Sequence, residues 1–395
     1  MKRTLYEKDH EEFRHLARAF FLRECAPHTQ RWEEQGHVDR QAWARAGELG
    51  LLMWAAPPKF GGLGIEDFRF NAVLTEEFFG CGVAGLGIAV QNDIVAPYLL
   101  ALGTEEQKER WLPRSVQGDY IWAIAMSEPA AGSDLASMIT TAQPQEGSLT
   151  LNGSKTFITN GLLANRVIVA AKTDPKAGRR GITLMVIEEG MAGFTRGRKL
   201  DKVGQRAQDT SELFFDDVTV PAENILGEMN RGFYHLMANL PQERLGIAVA
   251  AVASAERALD LTVSYVRTRR IFGQPLGAFQ NTRFELADLH TLAHACRVFV
   301  DRAVEAHCAG ELSAQEAAGI KQWVTDRQWE VVDRCVQLFG GYGYMNEYEI
   351  ARLWRDSRVQ RIYAGSNEVM KEIVGRSLNL EGEEAPGRFS GESRK

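Results

Sequence analysis

The sequence predicts an α+β multidomain fold that runs helical, β-rich, helical. Three observations carry this expectation. Apolar residues recur at three- and four-residue intervals up to about Gly118. β-branched runs bounded by Gly, Asp or Pro occupy the stretch from Ile121 to Pro221. Long Ala- and Leu-rich helical sequence then resumes at Arg231. A chain of 395 residues is long enough to bury a large core and to divide into two or three units. The divisions expected are 1–120, 121–230 and 231–380, followed by a polar, Gly-containing tail, 381–395, expected to be disordered.

In the first part, Phe13, Leu16, Ala17, Phe20 and Phe21 mark one helical face. Pro57 to Gly64 interrupts the pattern as a loop, and helical sequence returns at Phe68–Phe79 and Glu105–Leu112. In the middle part, Leu149–Leu151 and Ser154–Thr159 flank Asn152-Gly153, whose tolerance of positive φ predicts a tight hairpin turn there. Arg166–Ala171, Gly181–Ile187 and Ser211–Val220 read as further strands. In the last part, Arg244–Arg267 and Gly319–Leu338 read as long helices with apolar residues on more than one face, as in a bundle that also packs on other subunits.

Composition narrows the function classes. The formal net charge is −6 and the basic residues are scattered, which argues against a nucleic-acid binder. Five widely spaced cysteines without a Cys-x-x-Cys pair suggest a reducing compartment rather than a disulfide framework or zinc ribbon. The charged N-terminal sequence resembles neither a signal nor a transit peptide, and no apolar stretch is long enough to span a bilayer. A cytoplasmic location without membrane contact is therefore expected. His290 and His294 stand at i, i+4 spacing, but no third ligand is evident, so no metal site is expected. A Gly-x-Gly-x-x-Gly between strand and helix, a Gly-x-Ser-x-Gly elbow and a P-loop are all absent.

Two segments carry a resemblance. Ala125-Met126-Ser127-Glu128-Pro129-Ala130-Ala131-Gly132-Ser133-Asp134 is similar to the first signature of the acyl-CoA dehydrogenases. Gln337-Leu338-Phe339-Gly340-Gly341-Tyr342-Gly343-Tyr344, continuing through Arg352 to Asp356, resembles the second. The resemblance implies an N-terminal helical domain, a middle β-barrel or sandwich and a C-terminal four-helix bundle. It also implies bound FAD, an acyl-CoA substrate, an electron-transfer flavoprotein as acceptor and a homotetramer built as a dimer of dimers. The reaction implied is α,β-dehydrogenation of an acyl thioester to the trans-2-enoyl-CoA, with α-proton removal by a base and β-hydride transfer to the flavin N5.

The cofactor contacts implied are Met126 and Ser127 along the flavin ring, then Phe157 and Thr159 on a second strand, where the family usually has Trp for Phe157. Arg269 would pair with the pyrophosphate of a neighbouring subunit's FAD, as guanidinium groups do with phosphate oxygens. Phe272 and Gln280 would lie near the same cofactor, Gln337, Gly340 and Gly341 would approach its adenosine and pyrophosphate, and Ser366 would offer a hydroxyl. Read by position alone, Phe157 and Thr159 are simply strand residues, one buried and one exposed, and Arg269-Arg270 is a solvated helix end.

One departure from the family matters most. Many members carry their base in a Tyr-Glu-Gly loop, and here the matching segment is Tyr363-Ala364-Gly365. Leu240-Pro241-Gln242-Glu243-Arg244-Leu245 resembles the segment from which long-chain and isovaleryl-type members supply their glutamate, so the base expected is Glu243. Burial beside an acyl chain would raise its pKa towards working pH. By position alone Glu243 is also an ordinary first-turn carboxylate behind a Pro241 helix start. Ala364 would keep a role through its backbone N–H at the thioester oxygen, Ser133 would contact the pantetheine, and Arg244 would hold the loop and substrate region by ion pairing. Glu128, Asp134, Arg355, Asp356 and Glu368 are expected to build scaffold ion pairs.

The sequence favours medium- or long-chain substrates in fatty-acid β-oxidation, on the run Ser366–Glu372. Short branched substrates of amino-acid catabolism, a flavin monooxygenase or oxidase on the same scaffold, and a non-catalytic flavin-binding relative stay open as alternatives.

Overall fold

The computed structural model describes residues 2–380. The expected disordered tail, 381–395, lies outside the described residues. Six helices make up the first part: α1 (Lys8–Phe20), α2 (Thr29–Gln35), α3 (Arg40–Glu48), α4 (Phe68–Gly80), α5 (Ala96–Leu102) and α6 (Glu105–Val116). Their starts follow local chemistry. The Asp67 carboxylate accepts the Arg69 N–H at the head of α4. At α6, Thr104 and Gln107 satisfy each other's backbone N–H groups in a capping box.

Between α4 and α5 the chain makes a π turn, Val90–Val95, which buries three consecutive polar residues and sends each in a different direction. Gln91 donates to the carbonyls of Ser115 (3.1 Å) and Tyr120 (2.9 Å) and accepts the Trp122 N–H (3.2 Å). Asn92 accepts the Met53 N–H and donates to the Leu51 carbonyl. Asp93 accepts the Asn71 side-chain amide at 2.7 Å.

The middle part is an eight-stranded sheet: β1 (Trp122–Ala125), β2 (Thr141–Gln145), β3 (Ser148–Thr159), β4 (Arg166–Lys172), β5 (Ile182–Glu188), β6 (Phe194–Lys199), β7 (Thr210–Pro221) and β8 (Ile225–Leu226). The order is β6-β7-β3-β2-β4-β5-β8, with β1 parallel to β4. Strands β2 and β4 meet only at Thr141 and Lys172, so the sheet folds there into two halves. Leu151, Leu213 and Val220 from one half share a core with Val167, Val169 and Met185 from the other, as in a sandwich. The alternate residues Ile168, Ala170, Leu184 and Val186 pack outward against Leu99, Trp111 and Leu112 of the first-part helices. Both faces of β4 and β5 are thus covered, which explains their unbroken apolar runs.

The hairpin expected at Asn152-Gly153 does not form. Strand β3 runs straight through these residues with a bulge against β7. The Asn152 amide is spent on Asp217 across the ladder, and a Cβ on Gly153 (φ +145°) would collide with Thr140. The turn lies earlier, at Glu146-Gly147, where Gly147 supplies φ +72° between paired Gln145 and Ser148.

The last part comprises α7 (Gly232–Thr268), α8 (Gln280–Cys308), α9 (Ala314–Phe339), α10 (Glu349–Ser357) and α11 (Asn367–Ser377), with the small β9 (Arg270–Ile271) and β10 (Gln274–Pro275) pair after α7. Helices α7, α8 and α9 share two apolar clusters, and α10 and α11 pack on α9. Pro241 does not start a helix: α7 begins at Gly232, so Glu243 lies well inside it. Leu236 packs into the core shared with the sheet and Leu245 into the bundle core, which holds the helix together across the proline.

Candidate active site

Glu243 projects from α7 towards α5 and is only 6 % exposed. Tyr98 of α5 donates its hydroxyl to Glu243 Oε1 at 3.4 Å, and the Asn239 amide, one turn earlier on α7, reaches the same oxygen at 3.5 Å. Burial pushes the Glu243 carboxyl up to about 7, against the pull of Tyr98, Arg244 and Asn239; the buried Asp93 carboxylate adds to the upward push. A carboxyl with that value can both take and release a proton near neutrality.

Among the described residues Arg244 forms no ion pair. It is buried, its Nε atom meets no acceptor, and burial lowers its pKa while Glu243 raises it. The 362–366 loop is held instead by Lys321 of α9, whose Nζ donates to the Gly365 carbonyl (2.8 Å) and Asn367 Oδ1 (3.0 Å). Burial, then the nearby Arg244 charge, lowers the Lys321 ammonium to about 8. Arg361 adds an ion pair to Asp326 at 2.6 Å. Within this loop Ala364 takes a left-handed φ of +51° and Gly365 follows at +90°. Among the described residues the Ala364 N–H donates to no carbonyl. The Ser366 hydroxyl accepts the Val369 N–H as the cap of α11.

Met126 and Ser127 follow β1 and are half-buried. They are tied to β3 by Lys155, which is fully buried: its Nζ donates to the Met126 carbonyl at 3.0 Å and pairs with Glu128 at 2.8 Å. The Thr156 N–H donates to the Ser127 carbonyl. Positions two apart share a face of a regular strand, so the difference between Phe157 and Thr159 comes from the bulge in β3 between Lys155 and Ile158. Phe157 sits at φ +60° with 70 % of its surface exposed, while Thr159 is half-buried. Ser133 is exposed on the loop after β1.

Arg269, Gln337, Gly340 and Gly341 line one cleft of about 620 Å³ at the ends of α7 and α9, with Tyr342 in its wall. The Arg269 guanidinium lies 5.3 Å from the Tyr342 ring centre and has no ion-pair partner among the described residues. A Cβ on Gly340 or Gly341 would meet open space, so their backbone faces the cleft directly. Phe272, at φ +46°, is 93 % exposed and touches Phe279 edge-on; Gln280, exposed, opens α8. The cleft includes none of Met126, Ser127, Phe157 and Thr159, so one chain presents the expected cofactor residues as two separate sets. An unpaired arginine, bare glycine backbone and two aromatic rings held out on strained backbone fit a large anionic, aromatic cofactor.

Of the scaffold residues, Glu128 pairs with Lys155 and Arg355 with Glu33, but Asp356 accepts the Gln205 N–H and Asp134 the Ser137 hydroxyl. His290 and His294 stack at 6.4 Å between ring centres, and among the described residues no group of His, Cys, Asp and Glu could hold a metal. No described helix is long and apolar enough to cross a membrane. Sequence reasoning missed Tyr98, Asp93, Lys155 and Lys321, which no local signal marks. Asn239 stands one turn before Glu243, and helical spacing would have revealed it had the helix been extended back past Pro241.

Comparison with known proteins gives a consistent result. Family models described as acyl-CoA dehydrogenase N-terminal, middle and C-terminal domains match residues 7–119, 123–218 and 230–379. The long-chain specific acyl-CoA dehydrogenase of Mus musculus mitochondria is 44 % identical over 95 % of this chain and 88 % of its own length. The isovaleryl-CoA dehydrogenase of Solanum tuberosum mitochondria is 36 % identical over 95 % of this chain and 91 % of its own. The crystal structure of an acyl-CoA dehydrogenase from Geobacillus kaustophilus superposes with a TM-score of 0.93 at 49 % identity, covering 95 % of this chain and 99 % of that one.

Proposed function

The chain belongs to the acyl-CoA dehydrogenase family, and we propose that Glu243 is the base that starts its reaction. It is an FAD-dependent oxidoreductase that acts on acyl-CoA thioesters. The observation that carries the base assignment is the buried Glu243 carboxyl on α7, raised to about 7, while position 364, where many family members carry the base, is alanine.

In this reading the Glu243 carboxylate takes the α-proton, the α,β-carbon bond becomes double and the β-hydrogen departs as hydride. FAD, when bound, supplies the acceptor for that hydride. Removing an α-proton builds negative charge on the thioester oxygen, which needs donors that are already oriented. Ala364 offers one: among the described residues its N–H donates to no carbonyl. Tyr98 and Asn239 hold the Glu243 carboxylate in place. Met126, Ser127, Phe157, Thr159 and Ser366 would hold the flavin end, and Ser133 the pantetheine. Arg269, Phe272, Gln280, Gln337, Gly340 and Gly341 would hold the pyrophosphate and adenosine of a second subunit's FAD. That division between chains supports a homotetramer.

Medium or long straight chains are the substrates we favour, with an electron-transfer flavoprotein as acceptor; a fatty-acid β-oxidation role follows from that choice. Short branched thioesters are the second reading, on the 36 % identity to an isovaleryl-CoA dehydrogenase. Anaerobic mixing of the holoenzyme with short, branched, medium and long acyl-CoAs decides between them. The preferred chain should bleach the flavin absorbance and release the trans-2-enoyl product, and the reduced enzyme should react slowly with oxygen. Fast reoxidation by oxygen would place the protein with the oxidases, and no bleaching by any acyl-CoA would end the proposal.

A further inference from the structure

We propose that Asp93 and Glu243 form one coupled carboxyl pair, in which Asp93 is a positioning residue that sets the charge Glu243 works against. The proposal rests on Glu243 being the base.

The π turn that carries Asp93 lies against α7, and Gln242 of α7 anchors it by donating to the Asp93 carbonyl at 2.8 Å. Asn71 of α4 fixes Oδ1. Oδ2 points at α7: a Cβ built on Gly246 would stand 3.3 Å from it. Gly246 follows Glu243 by three residues, one turn along the same helix face. The Asp93 carboxyl therefore lies against the face of α7 that carries Glu243, and a glycine makes room for it. Among the described residues Oδ2 meets no donor.

The surrounding charges oppose the pair only in part. The Arg244 charge pulls the Glu243 pKa down, but among the described residues Arg244 makes no ion pair with either carboxyl. Lys321 of α9 is committed to Gly365 and Asn367. His307 of α8 meets the Gln242 side chain at 3.2 Å, not either carboxyl. Among the described residues, the Tyr98 hydroxyl reaches the pair from α5 and the Asn71 amide from α4. Two buried carboxyls without a paired cation cannot both ionise cheaply, so their protons leave in two steps that belong to the pair. Burial holds the Asp93 carboxyl, like that of Glu243, up at about 7.

The donors break the symmetry. Asp93 has one short donor, Asn71 at 2.7 Å, whereas Glu243 has two longer ones, at 3.4 and 3.5 Å, together with the Arg244 charge, all favouring its anion. The first ionisation therefore falls mainly on Glu243, with Asp93 facing it as a neutral acid. The second places a negative charge opposite the base and makes Glu243 a stronger proton acceptor.

The test is the pH dependence of anaerobic flavin reduction by acyl-CoA, followed by stopped flow on holoenzyme. The parent should show two ionisations. Asp93→Asn should keep the lower step and lose the upper one. Asn71→Leu removes the donor that favours the Asp93 anion, so the upper step should move to higher pH; this variant decides the matter alone if Asp93→Asn does not fold. A single ionisation in the parent, an Asp93→Asn profile superposed on the parent's, or an unmoved upper step in Asn71→Leu would each overturn the pair. Glu243→Gln separates the two claims: if it still reduces flavin normally the base assignment fails, whereas its loss with an unchanged Asp93→Asn profile sinks only the pair.

Discussion

The two ends of α7 are built on opposite principles. At Glu243 the carboxyl is met by Tyr98 and Asn239 and is almost wholly enclosed within the chain's own fold. At Arg269 the guanidinium lies over the Tyr342 ring with no ion-pair partner among the described residues, and the cleft beside it exposes glycine backbone. A protein hides the group whose proton affinity it must tune, because burial is what moves that affinity. It leaves exposed the groups that await a charged partner from elsewhere. The first region is finished when one chain folds; the second, in our reading, is finished only by assembly.

Substitutions at the two ends should therefore fail differently. Glu243→Gln should retain FAD, measured by absorbance stoichiometry, yet slow flavin reduction by at least about a hundredfold, the lower end of a general base's contribution. Arg269→Ala should do the reverse. Loss of a charge-assisted phosphate contact, roughly 1.5–3 kcal/mol, would weaken FAD retention by about ten- to a hundredfold, with near-normal reduction in the fraction still loaded. Equal losses of cofactor in both variants would erase the distinction.

A third expectation concerns stability. The folded Glu243 pKa of about 7 lies above its value in an unfolded chain, about 4.3. The stabilisation this implies is complete below the unfolded value and is lost as pH rises towards 7 and beyond. Glu243→Gln carries no such charge, so it should be more stable than the parent above pH 7, by up to a few kcal/mol, and closer to it at pH 5. Urea unfolding at the two pH values measures this, and a gain equal at both would point to packing instead. The smallest effect is expected at Ala364→Gly. Relief of the left-handed alanine should add at most about 1 kcal/mol to stability, while the looser loop should slow reduction modestly rather than abolish it.

The same contrast explains what could be read from the sequence. The order of helical and β parts, most strands and the long helices were legible because periodicity is a local property. The exposed cofactor residues stand in contiguous motifs, so Arg269, Gln337, Gly340 and Gly341 could be named before the cleft was seen. The surroundings of Glu243 could not. Tyr98 and Asp93 lie about 150 residues before it in the chain, and only packing brings them together. Local signals also misled. Asn152-Gly153 has the chemistry of a turn but is claimed by Asp217 and Thr140, and Pro241 looks like a helix start although tertiary packing carries α7 through it.

Helix α7 has a consequence for how this chain can change. Glu243 and Arg269 stand on and just beyond one uninterrupted rod, 26 positions apart, which at 1.5 Å per residue separates them by about 39 Å. One inserted residue would turn the far end by about 100° relative to the near one. Two inserted turns would restore the phase but lengthen the span by about 10.5 Å. The rod works as a ruler with its marks at both ends: the residues between may vary in kind, but their number may not.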